Sequence, residues 1–188
     1  MTALLTLNAI RAHGPCEDGW RTLLAYLGKT GGDDEKLSML TVLESNGPDD
    51  ALWCLRCVKG RDGAIRLLAC DFAQSVAHFN ADPRVKAAID AARRYAVGDA
   101  TDAEMAAARK AARAASAAVP RDASLAWARD AAWAAAEAAA EAAEAAAEAA
   151  YDAAHNAVWA AARYAAYAAT GDAQTAIFRR WIAEQEAA

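Results

Sequence analysis

Between Ala123 and Ala169 the chain is almost entirely alanine, and this stretch alone commits much of the molecule to helix. Alanine has the highest helix propensity of any residue, and its methyl group is too small to fill the face of a sheet. Four glutamates, Glu137, Glu141, Glu144 and Glu148, run through the tract and are followed by Asp152. The steps are four, three, four and four residues, so at about 100° of rotation per residue the five carboxylates share one narrow helical stripe. The residues between them, Ala134–Ala136 and Ala138–Ala140 among them, are methyl-sized. The expected object is a long helix with a smooth body and a single acidic ridge. About 45 residues at 1.5 Å each would extend about 70 Å. That exceeds the width of a domain of this size, so the helix is expected to project or to bend. Tyr151–Asn156 is the expected bend, because Asp, His and Asn are poorer helix formers than alanine.

Ahead of the tract, breakers divide the chain into short helical segments. Gly14-Pro15 follows a first segment, and Trp20–Leu27 reads as an apolar helix stopped at Gly28. Lys29–Asp34 is a turn whose acids are placed to cap the next helix, which carries Leu37, Met39, Leu40 and Leu43 and ends at Asn46-Gly47-Pro48. Asp49 and Asp50 start a helix through Leu52, Trp53, Cys54, Leu55 and Val58, and a longer one is expected over 64–79. Asp82 caps and Pro83 opens a helix running to Val97, with Val85, Ala88, Ile89 and Ala92 on one face and Gly98 as its stop. Thr101 and Glu104 form a capping box for a helix ended by Pro120. Thr170-Gly171-Asp172 admits a last helix with Ile177, Phe178, Trp181 and Ile182. No alternating β-branched run supports a strand. The fold class is therefore all-α, a multi-helix bundle of about eight or nine helices. It is expected as one all-helical domain over 1–188, with a short-helix core at 1–120 and the long alanine-rich helix plus a C-terminal helix at 121–188.

Composition narrows the classes of function. The hydrophobic share of 56% is largely alanine, and aromatics supply only 7%, so the six tryptophans are expected to carry much of the packing. A net charge of −5 and a pI near 5.2 argue against direct nucleic-acid binding and fit a basic protein partner. The alanine tract is interrupted too often by carboxylates to cross a bilayer and has no basic face for a membrane surface. Met1–Ala12 has no basic start and apolar run of signal-peptide type, so a cytoplasmic protein is expected, with Cys16, Cys54, Cys57 and Cys70 as reduced thiols.

Candidate chemistry is sparse. Cys54 and Cys57 have a CxxC spacing, and with Cys70 and His78 they would make a zinc-like donor set. Trp53 and Leu55 place the pair inside a helix rather than a knuckle, which favours small buried hydrophobes. His13, His78 and His155 are scattered, and no nucleophile elbow, phosphate loop or His-Glu-x-x-His occurs. Asp33, Asp34 and Glu35 read as a helix-capping cluster rather than a cation site. Arg93, Arg94, Arg109, Lys110 and Arg113 are interleaved with acids, as on a solvated salt-bridged face. A non-enzymatic protein with no cofactor and no metal is expected. The ridge of Glu137, Glu141, Glu144, Glu148 and Asp152 is the candidate partner-binding surface, set against the simpler reading that an exposed helix face must be polar. The alanine faces also allow close helix approach, hence a homodimer.

One resemblance extends this reading. Asp49-Asp50-Ala51-Leu52-Trp53, Arg66-Leu67-Leu68-Ala69-Cys70-Asp71-Phe72-Ala73, Asp82-Pro83-Arg84 with Ala88-Ile89, Arg93-Arg94-Tyr95-Ala96 and Gly98-Asp99-Ala100-Thr101 are followed by the alanine-rich tract. This order resembles a family of all-α bacterial immunity proteins from polymorphic toxin neighbourhoods that also occurs in phage genomes. The resemblance runs from about Asp49 onward and is weaker before it. It implies a protein that binds and neutralises another protein, a bacterial toxin or, in a phage setting, a subunit of a defence complex such as a CRISPR effector. In the second case the acidic ridge would imitate nucleic-acid phosphates against a basic channel. It supplies no binding residues that transfer position by position.

Overall fold

The computed structural model describes residues 4–58, 60–118 and 170–187. Over these residues the chain is all-α, with eight α-helices, two 3-10 turns and one antiparallel pair of two-residue strands. The helices group into two compact units, Met1–Arg61 with Phe178–Ala188, and Asp62–Ile177. The alanine tract and its acidic ridge lie outside the described residues.

In the first unit, β1 (Leu4–Leu5) pairs with β2 (Leu37–Ser38). No strand was expected there, and with Leu37 buried at 8% exposure the pair simply ties both segments to the core. Helix α1 (Leu7–Ala12) is capped by the Thr6 hydroxyl, and α2 (Glu17–Leu27) by Cys16, whose sulfur accepts from the Gly19 amide at 3.3 Å. Gly28 ends α2 in the left-handed region at φ 65°, as its sequence position implied.

Helix α3 (Met39–Asn46) is capped by the Ser38 hydroxyl, which accepts from the Leu40 amide at 3.0 Å. The acids of the preceding turn therefore do not cap it, contrary to expectation. Asp33 and Glu35 instead both hold the Lys29 ammonium, each at 2.7 Å. That pairing pushes the Lys29 pKa up and draws the Asp33 pKa down. Gly47 lies at φ 87° and ψ −179°, a conformation only glycine takes without strain, and turns the chain from α3 into α4 (Pro48–Trp53). The expected helix through Val58 stops at Trp53. A 3-10 turn, Cys54–Cys57, follows, and Val58 is extended.

Helix α8 (Thr170–Ala187) contributes its last turns to this unit, with Phe178, Trp181 and Ile182 all buried. Arg179 reaches Glu44 of α3 at 3.5 Å, and the Ser38 hydroxyl donates to Glu186. Among the described tryptophans, Trp181 is the one fully in the core. Trp181 is 4% exposed, whereas Trp20 and Trp53 are half-buried.

Among its described residues the second unit packs α5 (Asp62–Val76) on α6 (Pro83–Ala96) and α6 on α7 (Asp102–Ala117). Helix α5 is extended by a 3-10 turn, Ala77–Phe79. Its buried face carries Ile65, Leu68, Ala69, Phe72, Ala73 and Val76, a three-and-four spacing. Helix α6 buries Val85, Ala88, Ile89, Ala91 and Ala92, so alanines let it approach closely. At Gly63 the two helices come close, because a Cβ there would stand 2.7 Å from the Ala96 carbonyl oxygen.

The expected caps form here. Asp82 accepts from the Arg84 amide at 2.9 Å, with Pro83 at the first helical position. The Thr101 amide donates to Glu104 at 2.7 Å, and the Glu104 amide donates to the Thr101 hydroxyl at 3.3 Å. Between helices, Arg93 donates to Asp71 at 2.6 Å, and the Tyr95 hydroxyl donates to Asp102 at 2.8 Å. Arg94 also approaches Glu104 at 3.8 Å, so this part of the surface is salt-bridged as its charge pattern implied.

Candidate functional site

The ridge residues Glu137, Glu141, Glu144, Glu148 and Asp152 are among those outside the described residues. What the structure does place are the thiols. Cys54 and Cys57 open and close the 3-10 turn, where side chains three residues apart eclipse one another. All four cysteines are free. The Cys57 thiol donates to the Ala9 carbonyl at 3.8 Å, and burial pushes its pKa up to about 11. Cys54, 3% exposed, is pushed up further by burial. Cys70 is fully buried on α5 and raised to about 12, also by burial. Thiols held neutral in this way pack as small hydrophobes and are poor nucleophiles. Cys16 differs from the other three, since it is exposed and caps α2. Among the described residues no three or more His, Cys, Asp or Glu side chains are grouped so as to hold a metal ion.

The first unit also contains a cleft that no sequence motif announces, about 80 Å³ in volume. Its floor is aliphatic: Ile10 of α1, Leu23 of α2 and Val42 of α3 are each no more than 2% exposed. Half-buried Trp20 and Trp53 form two of its walls. Each ring also carries an arginine, Arg11 at 5.8 Å from the Trp20 centroid and Arg56 at 4.3 Å from that of Trp53.

The polar part of the lining is a short network. Asn46 donates to the Gly19 carbonyl and to an Asp50 carboxylate oxygen, each at 2.8 Å, and accepts from the Ser45 hydroxyl at 2.6 Å. Glycine at position 19 leaves room for the Asp50 carboxylate. A Cβ there would fall 2.6 Å from the Asp50 Oδ2 and 3.0 Å from the Cys16 Sγ. Five elements contribute to the lining, so residues distant in sequence meet and no local spacing could reveal them. The one local clue is the combination of Asn46, Gly47 and Asp50 at the α3–α4 turn, which reads as turn chemistry.

Among the described residues no helix is long and apolar enough to cross a membrane. Compared with known proteins, the chain matches no family model, no curated protein and no solved structure.

Proposed function

We propose that this protein is a non-enzymatic inhibitor that binds a basic surface of another protein and neutralises it, most simply as a cytoplasmic immunity protein against a bacterial toxin. The observation that carries the reading is the row of Glu137, Glu141, Glu144, Glu148 and Asp152, in a stretch from Ala131 to Ala162 without a single lysine or arginine. On a helix, carboxylates at this sequence spacing would repel one another by a few tenths of a kcal/mol per pair. A basic partner would relieve that repulsion, and long-range attraction would speed the encounter. The resemblance of the segment from Asp49 onward to all-α immunity proteins supports the same reading. The acidic ridge also favours a second target of the same class, a nucleic-acid channel in a defence complex, blocked by phosphate mimicry.

Co-expression with the products of the neighbouring genes tests this. The tagged protein is expected to co-purify one stoichiometric toxin or defence subunit and to abolish its activity. Recovery of the protein alone, with the neighbouring toxin fully active in its presence, would overturn the reading.

A further inference from the structure

We draw no further inference here: the strongest candidate, the cleft of the first unit floored by Ile10, Leu23 and Val42 and lined by Trp20 and Trp53, is an unpartnered apolar surface, and nothing in the structure shows what covers it.

Discussion

Asp82 shows how a single residue couples local structure to pH. The Arg84 side chain and then the Arg84 backbone amide both bind its carboxylate, which holds the pKa at about 2 against an ordinary 3.8. The folded-state pKa is depressed, so this contribution to stability is complete above pH 3.8 and is lost as pH falls towards 2. Asparagine caps helices about as well as aspartate. Asp82→Asn keeps the cap but loses the charge that binds the Arg84 side chain, so it is expected to lower the melting temperature slightly near neutrality and to flatten its fall across that acid window. Thermal melts of both proteins at several pH values check this. The cysteines give a second expectation at this scale. Exposed Cys16 is expected to be alkylated quickly in the native state, Cys57 slowly, and buried Cys54 and Cys70 only on unfolding. Mass spectrometry of a labelling time course reads the order, and uniform labelling of all four would contradict the described burial.

At the scale of elements, the α5–α6 contact depends on what is missing at Gly63 as well as on what fills the buried face. Phe72 fills the buried face of α5 at 1% exposure, and Phe72→Ala is expected to cost about 3–5 kcal/mol in chemical denaturation. Gly63→Ala is the more specific probe. In an exposed helix interior the change would gain about 1 kcal/mol of propensity, but here the new Cβ meets the Ala96 carbonyl at 2.7 Å, and backbone does not yield cheaply. A net loss of stability is expected, and a net gain would show that α5 and α6 do not meet there. Helix ends of this kind were legible in the sequence wherever chemistry is local: Gly28, Asp82-Pro83 and the Thr101–Glu104 box each stand where their residue types imply. The acids after Lys29 were not, because a lysine ammonium competed for them and Ser38 took the cap. The helix containing the CxxC pair likewise tightened into a 3-10 turn at Cys54, a boundary that periodicity over so short a segment does not resolve.

For the whole molecule, fold class followed from alanine content, helical spacing and the absence of alternating runs, since these act through backbone propensity over many residues. The cleft did not, because its walls come from α2 and α4 and its floor from α1, α2 and α3, a convergence that only tertiary packing creates. The acidic ridge is the reverse case, a pattern plain in the sequence whose residues fall outside those described. Its role is accordingly a question for binding. The most direct measurement is the affinity for the co-purified partner of a variant carrying lysine in place of Glu137, Glu141, Glu144, Glu148 and Asp152, with helicity checked by circular dichroism. A loss of at least about a hundredfold, or roughly 3 kcal/mol, with helix content unchanged is the predicted result. Unchanged affinity in a fully helical variant would contradict the account and remove the ridge from the mechanism.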